Sequence, residues 1–156
     1  MTTKVAVLGA GIWGKNLVRN FYNLNYLHTV CDMDEENRKR VNNDYPEIHT
    51  TPDFNEVLEN KEINAVVIAT PSHTHFKLVK MALEAGKHVY VEKPIATASE
   101  EALILKELAE SKNLVLMVGH LLLYHPAVNR LKMIVESGEL GEIKYVQSDR
   151  LNINYF

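Results

Sequence analysis

Short apolar runs alternate along this chain with longer stretches in which apolar residues recur at helical spacing. The runs at 65–69 and 114–118 are apolar at every position, which is typical of strands buried on both faces of a sheet. The predicted strands cover residues 4–8, 27–31, 48–50, 64–69, 87–91 and 114–118. The predicted helices cover residues 12–23, 34–43, 51–58, 73–85, 99–111 and 126–136.

The alternation of strands and helices over residues 1–120 predicts one domain of the α/β class. Elements that alternate in this way form a doubly wound parallel sheet with helices on both of its faces. One helix end is marked in the sequence, because Gly86 follows the helix predicted at 73–85 in the C′ position that favours glycine.

The pattern changes after about residue 120. Pro126 begins a helix that ends at Ser137-Gly138, and residues 142–156 then alternate like a half-exposed strand. We predict that residues 121–156 are the first helix and strand of a truncated second α/β domain. A long unpaired strand favours association edge to edge, so we expect a full-length protein to form a homo-oligomer through the sheet of that domain.

Composition and charge narrow the classes of partner. The chain carries a formal net charge of -3 with 24% charged residues and no basic cluster, so neither nucleic acid nor a membrane surface is expected as partner. No apolar run approaches the roughly 20 residues that span a bilayer, and a strand follows the N-terminal residues directly, so we expect a cytoplasmic protein. The single Cys31 excludes an internal disulfide and is expected to be a small buried hydrophobe.

The most informative motif is G-x-G-x-x-G, which Gly9, Gly11 and Gly14 form directly after the first predicted strand. In this motif the first glycine permits the tight turn, the second lets the backbone approach a diphosphate, and the third lets the helix pack closely. The N-terminus of the following helix offers free N–H groups and the positive end of a dipole to an anion. The motif in this context predicts a dinucleotide-binding domain of the Rossmann type.

An acidic residue, Asp32, ends the second predicted strand. A carboxylate there accepts hydrogen bonds from the adenosine ribose and repels a 2′-phosphate, so we expect NAD as the cofactor, with NADP less favoured. The alternative is that Asp32 caps the next helix, although Asp34 is an equally good cap. Arg38 or Arg40 would offset part of the argument against a 2′-phosphate.

A second polar group, Glu92 and Lys93 followed by Pro94, stands where the fifth predicted strand ends. Ligands bind at the carboxyl edge of the sheet in such folds. Beside a cationic nicotinamide the ammonium form of Lys93 is disfavoured, which suits proton exchange with a substrate hydroxyl. The alternative is a lysine that pairs with Glu92 at a strand end.

Two histidines, His73 and His75, lie at the start of a predicted helix. Side chains two residues apart diverge, so these histidines are a poor metal pair and no metal site is expected. Capping of the helix or contact with the cofactor is the favoured interpretation.

Taken together, these residues resemble the N-terminal part of the Gfo/Idh/MocA family, which includes glucose-fructose oxidoreductase and inositol dehydrogenase. The resemblance runs from the first predicted strand to the helix at 126–136. The matching positions are Gly9-Ala-Gly11-Ile-Trp-Gly14, Asp32, Ala69-Thr70-Pro71-Ser72-His-Thr-His75, Glu92-Lys93-Pro94, Gly119-His120 and His125-Pro126.

The resemblance implies an NAD(P)-dependent dehydrogenase that transfers hydride to or from a sugar, polyol or nucleotide-linked sugar. It implies catalytic roles for Lys93 and His120, and a cis peptide bond before Pro94. The run at 119–126 is most similar to members that act on nucleotide-linked amino sugars. The residues implied in cofactor binding are Gly9, Gly11, Ile12, Trp13, Gly14, Asp32, Thr70, Pro71, His75, Glu92 and Lys93.

Members of this family continue for about as long again into an open-faced α/β domain that carries much of the substrate site. The resemblance therefore implies that this chain is the dinucleotide-binding half and is incomplete for turnover alone. The alternative is a non-catalytic dinucleotide-binding or sensing module derived from such an enzyme. A flavin or S-adenosylmethionine domain would use the same glycines but does not call for Glu92-Lys93-Pro94.

Overall fold

The computed structural model describes residues 3–149, and the chain divides into two compact units, Met1–Gly119 and His120–Phe156. The strands described in the first unit are β1 (Val5–Leu8), β2 (Leu27–Cys31), β3 (His49–Thr51), β4 (Ala65–Ile68), β5 (His88–Val91) and β6 (Leu116–Val118). Its helices are α1 (Gly14–Asn23), α2 (Glu35–Asp44), α3 (Phe54–Glu59), α4 (His75–Glu84) and α5 (Ser99–Ser111). None of the described helices is long and apolar enough to cross a membrane.

The strands form one parallel sheet in the order β3-β2-β1-β4-β5-β6. This order confirms the predicted doubly wound Rossmann fold. The direction in which strands are added reverses between β1 and β4, where Leu8 pairs with Ile68 at the carboxyl end. Ligands of such sheets bind outside the carboxyl ends of the strands at this switch point, so β1 and β4 locate the candidate site.

Two layers of apolar side chains hold the sheet between its helices. Because strand side chains alternate between faces, Ala6 and Leu8 of β1 pack into one cluster and Val5 and Val7 into the other. The first cluster includes buried side chains of α3, α4 and α5, and the second includes buried side chains of α1 and α2. The sheet is therefore covered on both faces, as the continuous apolar runs predict.

The helix boundaries differ from the predicted ones at two places beside the carboxyl edge. Helix α1 begins at Gly14 rather than at residue 12, because residues 11–13 form the turn that precedes it. A 3₁₀ turn, Ser72–Thr74, precedes α4. At the other end of α4, Gly86 has a φ of 77°, and its N–H donates to the Leu83 carbonyl at 3.0 Å, which confirms the predicted C′ glycine.

The second unit contains a 3₁₀ turn, Leu121–Tyr124, and helix α6 (Pro126–Glu136) as described elements. The predicted helix start at Pro126 is confirmed, and Nδ1 of His125 accepts a hydrogen bond from the Ala127 N–H at 3.2 Å. The predicted strand at 142–156 is not found over residues 142–149, because no neighbouring strand among the described residues pairs with them. The rest of that predicted strand, residues 150–156, lies outside the described residues.

Candidate functional site

Two of the motif glycines are required by the fold itself. Gly9 has a φ of 85°, and a Cβ placed on it would lie 2.9 Å from the carbonyl carbon of Ala69, just beyond β4. A Cβ on Gly14 would lie 1.9 Å from the Gly9 carbonyl oxygen. These contacts confirm the tight turn at Gly9 and the close helix packing at Gly14 that the motif predicts.

Gly11 faces open space. Apart from Gly11 and its two chain neighbours, no heavy atom of residues 3–149 lies within 4 Å of the position that a Cβ on Gly11 would take. Within residues 3–149, the N–H groups of Gly11, Ile12 and Trp13 donate to no acceptor. The turn therefore offers both room for a ligand and backbone N–H donors that no acceptor among the described residues uses. A diphosphate group needs both.

The N-terminus of α1 is also without a side-chain cap. Helices α2 and α3 are capped by Asp34 and Asp53, each of which accepts a backbone N–H bond two residues on. Helix α1 follows Trp13, which has no capping side chain, and it has no acidic residue in its first turn. The positive end of the α1 dipole is therefore left for an anion from outside the chain.

Asp32 follows β2 and ties the glycine turn to α2. Its Oδ2 accepts the Ala10 N–H at 2.6 Å and the Asn37 side-chain amide at 3.1 Å, and its Oδ1 accepts the Asp34 N–H at 2.8 Å. Asp34, and not Asp32, is the N-cap of α2, because Asp34 accepts the Glu36 N–H. This rejects the capping alternative for Asp32 and leaves its carboxylate beside the glycine turn.

The two arginines of α2 are engaged by backbone carbonyls. Arg38 donates to the carbonyl oxygens of Asp32 and Met33 at 2.7 Å and 2.9 Å. Arg40 donates to the carbonyl oxygen of Ala10 and, at 2.9 Å, to the side-chain oxygen of Asn37. Both guanidinium groups therefore brace the loops around Asp32.

The segment after β4 reaches the same edge of the sheet. Thr70 and Thr74 share a hydroxyl–hydroxyl hydrogen bond at 2.7 Å, and the Pro71 carbonyl accepts the Thr74 N–H at 2.9 Å. Thr70 is half-buried and Pro71 is exposed. These bonds close a compact turn next to the glycine turn, since Ala69 also donates its N–H to the Leu8 carbonyl at 2.8 Å.

His75 holds two loops together and is only 1% exposed. Its Nδ1 lies 2.6 Å from the Pro94 carbonyl oxygen, and its Nε2 lies 2.8 Å from the Thr70 carbonyl oxygen. The ring therefore has no free edge for a ligand, which corrects the expectation that its side chain lines the cofactor side. His75 affects that side through the positions of Thr70 and Pro94.

Glu92, directly after β5, is buried and joined to the glycine turn. Its Oε1 accepts the indole N–H of Trp13 at 2.8 Å and the Tyr90 hydroxyl at 3.1 Å. Gly119 makes room for this arrangement, because a Cβ there would lie 2.5 Å from the Tyr90 hydroxyl oxygen. Ile12, in contrast, is 90% exposed, so the two residues between the motif glycines face different surroundings.

Lys93 is exposed, and among the described residues no hydrogen bond or ion pair involves its side chain. The alternative of a Lys93–Glu92 pair is therefore not found. The Lys93–Pro94 peptide bond is cis, as the resemblance implies. His120 is exposed and is the first residue of the second unit, where its carbonyl accepts the Leu123 N–H at 3.0 Å.

Among the described residues of the first unit, two further titratable groups are buried: Cys31 and Lys87. Neither belongs to the candidate site at the carboxyl edge. Burial raises the pKa of the Cys31 thiol to about 12, which confirms Cys31 as a small buried group. Lys87, at the amino end of β5, is 6% exposed and donates to the carbonyls of Asn60 and Ile63 at 2.7 Å and 2.8 Å. Burial lowers the pKa of Lys87. The sequence pattern did not single out this lysine.

A parallel sheet with an open, donor-lined glycine turn at its switch point defines a dinucleotide-binding α/β protein. Residues 3–120 match the model of the oxidoreductase family with an NAD-binding Rossmann fold. The chain belongs to this family, Gfo/Idh/MocA, and the resemblance found in its sequence is confirmed.

Three similar proteins illustrate the range of the family. The chain is 31% identical over 148 residues to UDP-N-acetylglucosamine 3-dehydrogenase of Acidithiobacillus ferrooxidans, covering 95% of this chain and 45% of that protein. It is 27% identical to the scyllo-inositol 2-dehydrogenase (NADP(+)) IolW of Bacillus subtilis, and the match covers 94% of this chain and 41% of that protein. The crystal structure of GenD2 from gentamicin A biosynthesis, in complex with NAD, superposes with a TM-score of 0.82 at 27% identity. The match covers 88% of this chain and 40% of the GenD2 chain. The chain thus spans less than half the length of these relatives.

Proposed function

We propose that this chain binds NAD across the switch point of its sheet and is the cofactor-binding part of a sugar or polyol dehydrogenase. The observation that carries the proposal is the open space over Gly11, together with the N–H groups of Gly11, Ile12 and Trp13, which have no acceptor in the part of the chain that the structure describes. A diphosphate placed there accepts these N–H bonds and meets the positive end of α1. The glycine turn is preorganised for it, because its backbone packs closely at Gly9 and Gly14 and the Gly9 N–H donates to the Cys31 carbonyl at 2.9 Å.

The preference for NAD over NADP rests on Asp32. A 2′-phosphate would approach the Asp32 carboxylate, and an NADP site usually supplies an arginine to offset such repulsion. Arg38 and Arg40 each donate to backbone carbonyls through one guanidinium nitrogen, Nη1 and Nη2, and both keep further N–H donors, so the preference rests on the Asp32 charge. Relatives with NAD and with NADP(+) in their descriptions both exist, so the proposal of NAD rests on Asp32 rather than on the family.

Lys93 is the residue that we assign to proton exchange. Its side chain is exposed at the carboxyl edge with no partner among the described residues, so it is available to a substrate hydroxyl. Bound NAD would supply the hydride acceptor or, when reduced, the donor. We assign His120 as a second catalytic residue from the family pattern.

For the substrate we propose a sugar, a polyol or a nucleotide-linked sugar. The descriptions of the similar proteins name UDP-N-acetylglucosamine and scyllo-inositol, which share ring hydroxyls that a dehydrogenase can oxidise. We further propose that full-length copies associate through the sheet of the second domain.

Gly11→Val tests the cofactor site. Beyond its chain neighbours, the Cβ of the valine meets no atom of the described residues within van der Waals range, but the side chain occupies the space proposed for the diphosphate. We therefore expect affinity for NADH to fall by at least about 100-fold. Circular dichroism and a cooperative thermal transition should match those of the unmodified chain. NADH affinity that is unchanged in a titration of Gly11→Val would contradict the proposed site.

A further inference from the structure

Glu92 carries a negative charge in a place where water cannot screen it well. The residue is 8% exposed, and its Oε1 is held by two donors, the Trp13 indole N–H and the Tyr90 hydroxyl. A Cβ on Gly119 would lie 3.0 Å from the same oxygen, so the carboxylate is packed closely from that side as well. The carboxylate is therefore fixed in position by contacts from the glycine turn, β5 and the residue after β6.

Neither hydrogen-bond donor brings a positive charge. Indole and phenol are neutral, and within residues 3–149 no basic side chain lies in ion-pair distance of Glu92. Lys93 is the next residue, but it is exposed to solvent and its charge is screened there. A buried charge without an ionic partner acts over a longer range than a solvated one, because the surrounding medium has a lower effective dielectric constant.

The position of Glu92 relates this charge to one end of the cofactor. In a doubly wound sheet of this strand order, each half holds one mononucleotide. The half with β1, β2 and β3 contains Asp32, so the half with β4, β5 and β6 is left for the nicotinamide. Glu92 follows β5 in that half, and its bond to Trp13 joins it to the glycine turn.

We infer that Glu92 makes this site discriminate between the two redox forms of the cofactor in favour of the oxidised form. The inference rests on the proposed NAD site. The nicotinamide ring of NAD⁺ is cationic and that of NADH is neutral, so a fixed negative charge beside the ring stabilises NAD⁺ selectively. Tighter binding of the oxidised form lowers the reduction potential of the bound cofactor, and bound NADH becomes a better hydride donor.

Glu92→Gln isolates the charge, because glutamine has the same shape and its oxygen still accepts from Trp13 and Tyr90. We expect the Kd for NAD⁺, measured by titration calorimetry, to rise about tenfold while the Kd for NADH changes less than about twofold. A tenfold change in this ratio corresponds to about 30 mV for a two-electron couple. Glu59→Gln, the same substitution at an exposed position of α3, is the control for net charge and should leave both constants unchanged.

Tyr90→Phe separates the hydroxyl from the charge. This variant removes one donor but keeps the carboxylate, so the ratio of the two constants should remain within about twofold of the unmodified chain. A ratio that is the same in Glu92→Gln and in the unmodified chain, with both cofactor forms bound, would overturn the inference and leave the proposed site intact. Failure of the unmodified chain to bind either form would instead overturn the proposed site.

The unmodified chain provides a measurement that does not depend on any variant. We expect it to bind NAD⁺ more tightly than NADH, because the buried Glu92 charge outweighs the screened charge of Lys93. A Kd for NAD⁺ equal to or above that for NADH would overturn the inference even if Glu92→Gln failed to fold.

Discussion

Strand β5 has a lysine at each end, and the two lysines are in opposite situations. Lys87, at the amino end, is buried and donates to the carbonyls of Asn60 and Ile63. Lys93, beyond the carboxyl end, is exposed and has no side-chain partner among the described residues. The same residue type therefore closes a loop at one edge of the sheet and remains available to a ligand at the other.

The difference follows from the construction of a parallel sheet. At the amino edge, the loop between α3 and β4 contains the backbone carbonyls of Asn60 and Ile63. The long side chain of Lys87 donates hydrogen bonds to both. At the carboxyl edge, where the strand order reverses between β1 and β4, the glycine turn keeps open space over Gly11 and N–H groups with no acceptor among the described residues. A polar group at that opening can bind a ligand because the protein does not already use its hydrogen bonds.

The comparison is tested most strongly by Lys93→Ala in a version of the protein that carries a complete second domain. We expect turnover of its substrate to fall by about 100-fold or more, because removal of a positioned acid or base has effects of this size. Lys61→Ala, at an exposed lysine in the amino-edge loop before β4, is the matched control and should leave turnover unchanged. Near-normal turnover by the Lys93→Ala variant would contradict the assignment of Lys93 to proton exchange.

Lys87→Met tests the other end of the strand. Methionine keeps the apolar stem but leaves the Asn60 and Ile63 carbonyls without their charged donor, so we expect the free energy of unfolding to fall by about 2 kcal/mol. The matched variant Lys93→Met should change it by less than about 1 kcal/mol, as is usual for exposed positions. Urea denaturation measures both values, and an equal effect of the two substitutions would contradict the proposed division of roles.

Asp32→Ala is expected to have the smallest effect of the three substitutions. It tests the preference of the carboxyl edge for NADH over NADPH. We expect it to narrow the preference for NADH over NADPH by about tenfold, because one charge contact of this kind contributes one to two kcal/mol. The ratio of the two affinities is the quantity to measure, since it cancels the effect of losing the Ala10 and Asn37 hydrogen bonds. Equal affinities for NADH and NADPH in the unmodified chain would contradict the assigned role of Asp32.

The sheet and the glycine turn could be predicted from the sequence because their signals are local. Most of the predicted strands are short runs rich in apolar residues, and the roles of Gly9 and Gly14 follow from the spacing of three glycines next to such a run. The predicted strand at 142–156, in contrast, depends on a partner that the local pattern does not contain. An alternating pattern marks a half-buried strand only when another strand pairs with it, and none among the described residues does so at 142–149.

The contacts that organise the site could not be predicted, because they join residues far apart in sequence. The bond between Trp13 and Glu92 spans 79 positions, and the contact of His75 with the Pro94 carbonyl spans 19. Nothing in the spacing of histidines distinguishes a ring that holds two carbonyls from one that faces a ligand. Lys87 gave only a weak signal, because it begins a predicted strand whose next residue, His88, is also polar.

An amide NMR titration of the chain with NADH measures whether the carboxyl edge of this sheet binds the dinucleotide. We predict that the backbone N–H signals of Gly11, Ile12 and Trp13 move most, because these donors have no acceptor among the described residues. The signals of Ile63 and Lys87, at the amino edge, should stay in place. Saturable shifts at Lys87 with none at Gly11, or no shift at either edge, would contradict the account.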